Sequence, residues 1–147
     1  MHNAMKAEQA ITDMLMARAK AFEEKDVTAA ISHMAEDAVT FSLAPPLATR
    51  GRDANGLQAW LATWRGPIGG DVRDVKLRVG EDVAFWTGLV HITGTKADGD
   101  VVDLWFRQTL GLVNTAAGWK VAHEHESVPF AMDGSGRALL DLKPSPG

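Results

Sequence analysis

His123, His125 and Ser127 stand at alternate positions in the segment GWKVAHEHESVPF, residues 118–130. If that segment is a strand, their side chains point to one face. Two imidazoles and a hydroxyl in a row suit proton transfer, since imidazole titrates close to neutral pH. Plain alternation puts Trp119 and Val121 on the same face, so the row begins apolar and turns polar, as a ligand cavity with a packed floor requires. Lys120, Ala122, Glu124, Glu126 and Val128 fall on the other face. Two other uses compete. Both histidines could be hydrogen-bonded into the sheet and only stiffen it, or they could ligate zinc or copper. No third or fourth ligand can be named, so no metal and no cofactor is assigned, and the cavity wall is preferred.

The segment VVDLWFRQTLGLV, residues 101–113, places Asp103, Trp105, Arg107 and Thr109 on one face and Leu104, Phe106, Gln108, Leu110 and Leu112 on the other. An unpaired guanidinium among apolar residues is costly. Arg107 is therefore expected to meet an anionic or developing oxyanion group of a ligand, or a carboxylate such as Glu124, Glu126 or Asp37. Asp103 lies about 13 Å from it along the strand, and its expected role is to orient a histidine or act as a base. His123, His125, Arg107 and Asp103 are thus the candidate catalytic set. Phe41, Trp60, Trp64, His91, Trp105 and Ser127 are the candidate ligand contacts, the aromatic ones as flat walls that exclude water.

These groups need elements to hold them. In residues 7–25, Ile11, Met14, Leu15 and Phe22 recur at helical spacing, and Asp26 can cap a short second helix through Val27, Ile31 and Met34. DAVTFSL, residues 37–43, reads as a strand stopped by Pro45 and Pro46. Asp53 can cap a third helix with Leu57, Trp60, Leu61 and Trp64 on one face, closed by Gly66 and Pro67. After Gly69 and Gly70, four strand-like runs follow, over residues 72–79, 83–95, 101–113 and 119–129, separated by hairpin-type turns. Helices first and a long antiparallel sheet afterwards predicts an α+β fold, the sheet curled and mixed at one edge, with three N-terminal helices on its concave face.

The chain has 147 residues, one domain's worth, read as a domain over 1–131 and a C-terminal tail over 132–147 that is either loosely docked or mobile. With 46% apolar and 23% charged residues it has a globular composition. No apolar run approaches the roughly 20 residues of a membrane span, and no leader pattern opens the chain, so a cytoplasmic setting without membrane contact is expected. Its net charge of −4, with 15 dispersed Lys and Arg, gives no basic stripe for nucleic acid. The absence of cysteine excludes disulfides and thiolate chemistry. Neither face of the strand over 101–113 is plainly polar, and helices cover only one of them, so a homodimer through the outer sheet face is expected.

AEDAVTF after two helices, RGRDANGLQAWL as the third helix, LWFRQTL and GWKVAHEHESVPF together resemble the nuclear transport factor 2-like superfamily, within it the SnoaL-like and ketosteroid-isomerase-like branch. The ending also resembles the association domain of calcium/calmodulin-dependent protein kinase II. The resemblance covers about residues 7–130. It implies a cone-shaped α+β barrel, commonly dimeric, with a cavity lined by the third helix and the inward strand faces, and it carries Arg107, His123, His125 and Ser127 over as pocket positions. Members include isomerases, polyketide cyclases, dehydratases, epoxide hydrolases and non-enzymatic binding or assembly domains, a choice that fold alone does not make. The chain has no tyrosine, which excludes the tyrosine-based oxyanion hole of ketosteroid isomerase. Two functions are therefore expected: acid/base isomerisation, dehydration or cyclisation of a small oxygenated ring compound, or a non-catalytic ligand-binding or dimerisation module.

Overall fold

A computed structural model describes residues 2–146. Its elements are α1 (His2–Glu23), α2 (Val27–Ser32), β1 (Met34–Phe41), β2 (Thr49–Arg50), α3 (Ala54–Ala62), β3 (Trp64–Val79), β4 (Val83–Lys96), β5 (Val101–Thr115) and β6 (Gly118–Ser127). Both expected caps form: Asp26 accepts from the Ala29 N–H at 3.0 Å and Asp53 from the Gly56 N–H at 2.9 Å. Each satisfies an orphan donor of the first turn. α3 ends before Trp64, because Thr63 closes it and turns its hydroxyl back onto the Trp60 carbonyl at 2.6 Å. Trp64 instead opens β3, which runs through Gly66, Pro67, Gly69 and Gly70 with two register shifts. The sequence pattern closes the third helix at Gly66 and Pro67 and begins the first long strand only at Val72, whereas β3 already starts at Trp64. As β3 is an edge strand, Pro67 need not cost a ladder bond.

The sheet order is β2-β1-β6-β5-β4-β3, all antiparallel except the β1–β6 pair, and the sheet is open at β2 and β3. Bulges in β1, β3 and β6 bend the strands, and the sheet curls over the helices as a cone. At one end Ile11 of α1 packs with Ala84, Trp86, Leu110, Leu112, Trp119 and Val121. At the other, Leu61 of α3 packs with Trp64 and Ile68, joined by Phe22, Ile92 and Val102. Gly88 is required between them, since a Cβ there would overlap the Trp86 ring that lies across it. The expected α+β architecture, mixed at one edge with three helices on the concave face, is what the chain adopts.

Beyond β6 the chain doubles back. Phe130 bridges to Ala138, and the Leu139 N–H donates to the Pro129 carbonyl at 2.9 Å. Residues 140–143 then lie beside Asp103 and Trp105, and the Arg73 guanidinium of β3 donates to the Ser145 carbonyl at 3.3 Å. The tail is a strap across the convex face of the sheet. Among the described residues no helix is long and apolar enough to cross a membrane.

Candidate functional site

Strand β6 does not alternate along its whole length. Leu112 faces Val121 and Gly111 faces His123, which leaves Ala122 unpaired as a bulge. Beyond it Glu124 and Glu126 pair with Leu110 and Gln108 and share the concave face with Trp119 and Val121. His123, His125 and Ser127 pair with Gly111, Thr109 and Arg107 and lie on the convex face. The single row running from Trp119 to Ser127 is thereby corrected. An extra residue moves the period by one, and no glycine or proline marks the place.

The four candidate catalytic residues all lie on the convex face, in two groups. His123 donates from Nδ1 to the Val39 carbonyl at 2.7 Å, and the Phe41 ring meets His123 and His125 edge-on at 4.9 and 5.3 Å. On the neighbouring strands, the Nε2–H of His91 donates to Asp103 at 2.5 Å while its ring stacks on Trp105 at 4.5 Å and 3°. That hydrogen bond, with the charges of His91 and Lys143, holds the Asp103 carboxyl below the usual range. Arg107 is exposed and donates from Nε to Ser127 Oγ at 3.0 Å. The carboxylates of Glu124 and Glu126, expected as its alternative partners, turn to the opposite face. Trp60 and Trp64 sit apart from all of these, ring to ring at 5.6 Å, with the Lys96 ammonium 4.0 Å from the Trp64 ring and bonded to Thr63 Oγ1 at 2.9 Å. Among the described residues no three His, Asp or Glu side chains gather as a metal site would.

Inside the cone, between the two apolar clusters, lies a polar set that the strand pattern did not single out. Arg18 of α1, only 9% exposed, donates from Nη2 to Glu124 Oε2 at 2.7 Å. Gln108 donates from Nε2 to Glu124 at 2.9 Å and to Glu126 at 3.0 Å. Burial pushes the Glu126 carboxyl up to about 8, the negative charge of Glu124 adds to this, and Arg18 opposes it more weakly. The raised Glu126 carboxyl thus favours its protonated form at pH 7, hydrogen-bonded to Glu124, which is paired with Arg18. Close by, burial and then the charges of Lys120 and Arg18 lower the pKa of His33. Arg18 Nε and Trp64 Nε1 are buried donors without a partner among the described residues, the kind of group that a ligand oxygen satisfies.

Both missed residues left a trace in the sequence. Arg18 falls on the Ile11, Met14, Leu15, Phe22 stripe of α1, and Gln108 interrupts the Leu104, Phe106, Leu110, Leu112 face of β5. A polar residue on an apolar stripe must find a partner when the stripe is buried. Glu126 also borders an open cleft of about 620 Å³, walled by Phe41, His125 and the segment 42–48 that joins β1 to β2.

Residues 11–131 match the model of the SnoaL-like domain family. No curated protein matches the sequence. Among solved structures, an NTF2-like protein of unknown function from Pseudomonas putida superposes with a TM-score of 0.84 at 25% identity, over 95% of this chain and 98% of that one. A nuclear transport factor 2-like superfamily protein from Salmonella enterica gives a TM-score of 0.75 at 17% identity, over 92% and 99%. A ketosteroid isomerase-like protein from Erwinia carotovora gives 0.68 at 24% identity, over 81% and 93%.

Proposed function

The chain belongs to the SnoaL-like domain family, and from that premise we propose that it binds a small, oxygenated ring compound at the mouth of the cone and performs acid/base chemistry on it, as an isomerase, dehydratase or cyclase. The observation that carries this reading is the Glu126 carboxyl raised to about 8 beside Glu124 and Arg18. Two carboxyls of unlike protonation side by side form an acid and a base in one site. Glu126 donates its proton to a carbonyl or hydroxyl oxygen of the ligand, and Glu124 accepts a proton from the adjacent carbon or hydroxyl. The proton lost at one carboxyl is thus regained at the other. Arg18 pairs with Glu124, and Gln108 fixes both carboxyls in orientation. No metal or cofactor enters these steps.

On this placement the acid/base work passes from His123 and His125 to the glutamates. Arg107 is exposed on the convex face, and this favours a second role for that face, as the contact of a homodimer. The dispersed charge keeps nucleic acid out of the reading, and the setting remains cytoplasmic.

The test is a thermal-shift screen of wild type and Glu126→Gln against small uncharged ring ketones and hydroxyketones, followed by turnover assays on every hit, because selective native-state binding raises apparent stability. Hits turned over by wild type should lose about 10²–10⁴-fold in rate in Glu126→Gln, the usual contribution of a positioned acid. Equal turnover by the variant would remove Glu126 from the chemistry. Hits that bind and never turn over would leave a binding module.

A further inference from the structure

The cleft beside Glu126 has a wall of unusual chemistry. Residues 42–48 read SLAPPLA, with no charged side chain and with two prolines that have no N–H to offer. The one hydroxyl, that of Ser42, is already spent on the Ala44 carbonyl at 3.0 Å. What remains facing outward is hydrocarbon, with Leu43 41% and Leu47 97% exposed. The opposite wall is aromatic: Phe41, pinned edge-on between His123 and His125. Of all the groups that line the cleft, only His125 and Glu126 titrate, and no Lys or Arg is among them.

From these walls we propose that segment 42–48 is the specificity jaw of the site and that it selects an uncharged, flat ring body carrying an oxygen at the edge turned toward Glu126 and His125. The cleft volume of about 620 Å³ falls within the range of small-molecule sites. A flat ring lies between the proline–leucine wall and the Phe41 ring with its faces on hydrocarbon and aromatic surface. A carboxylate or phosphate on the ligand would be stripped of water there with no Lys or Arg to pair with. The jaw therefore selects against anions as well as for rings. An exposed leucine beside an apolar cleft gains a contact when the ligand arrives, which makes the jaw a source of binding free energy separate from the carboxyl pair.

The proposal rests on Glu126 marking the reacting end of the site, and the experiment separates the two ideas by reading binding without turnover. Wild type, Leu43→Asp and Glu126→Gln are titrated at pH 7 with 2-naphthol, 2-tetralone and sodium 2-naphthoate, followed by protein and ligand fluorescence, with circular dichroism to confirm that each variant is folded. Saturable binding of the two uncharged probes, at least tenfold tighter than naphthoate and weakened at least tenfold by Leu43→Asp, is the expected result. Absence of saturable binding by either uncharged probe, naphthoate binding as tightly, or Leu43→Asp binding like wild type would overturn the jaw. If the jaw result holds while Glu126→Gln turns over every substrate normally, the acid assignment falls and the jaw stands. If sedimentation shows wild type dimeric and Leu43→Asp monomeric, with neither binding the probes, the segment belongs to an interface with a second copy, and the proposal is overturned.

Discussion

The two faces of the β5–β6 pair carry similar inventories and behave differently. The convex face has the imidazoles, an arginine and an aspartate, groups with conspicuous chemistry, yet its Arg107, Asp103 and His125 are exposed and answer to water. The concave face has two glutamates, a glutamine and an arginine from α1, commonplace residues whose burial changes what they are. A charge in water is screened and interchangeable, whereas one shut between apolar clusters fixes the proton of its neighbour. Chemistry in this fold is therefore assigned by face before residue type.

The sharpest way to break the comparison is to remove the arginine from each face. Arg18→Met leaves Glu124 charged and uncompensated in the cone and should cost about 3–5 kcal/mol in urea unfolding, while Arg107→Met on the exposed face should change stability by no more than about 0.5 kcal/mol. Comparable losses would mean that the two faces do not differ as described.

Next comes pH. The folded-state pKa of Glu126, about 8, lies above that of the unfolded carboxyl, 4.5. Between those values the folded chain holds a proton that the unfolded chain has released, so unfolding free energy should fall as pH rises through that window, at up to about 1.4 kcal/mol per unit. Glu126→Gln should flatten the slope and become the more stable form at pH 9. Unfolding curves at several pH values from 4.5 to 9 give the answer.

Gln108→Leu, which removes the donor to both glutamates, should cost about 1–3 kcal/mol and raise the Glu126 pKa further, because a hydrogen bond that favours its ionised form is lost. A carboxyl titration by NMR reads the second effect directly. The smallest response is expected outside: Ser127→Ala should shift stability by less than about 0.5 kcal/mol, and His91→Phe should return the Asp103 carboxyl upward toward its ordinary range without unfolding the protein.

Much of the fold was legible because it rests on local chemistry. The caps at Asp26 and Asp53, the hairpin turns and the apolar stripe of α1 each announce themselves within a few residues. The convex and concave sets could not be separated that way. Alternation carries a face forward only while no residue is inserted, and Ala122 has neither the flexibility of glycine nor the rigidity of proline to advertise a bulge. Arg18 was visible as a charge on an apolar stripe. Its partner 106 positions away was not, since nothing in α1 specifies which strand it will cover.

The parallel pairing of β1 with β6 has a kinetic consequence. β1 has only the two-residue β2 on its other side, so its main ladder is supplied by the last strand of the sheet. A nascent chain can close the β3–β4–β5 meander early, but β1, and the part of α1 that waits for Glu124, must remain unsealed until residues 118–127 have emerged. Closure between such distant segments is entropically slow, and during that wait the apolar faces of α1 and β1 are open to other chains. The pairing of β6 between β1 and β5 is also what buries Glu124 and Glu126, so a chain that lacks this pairing lacks the buried carboxyl pair.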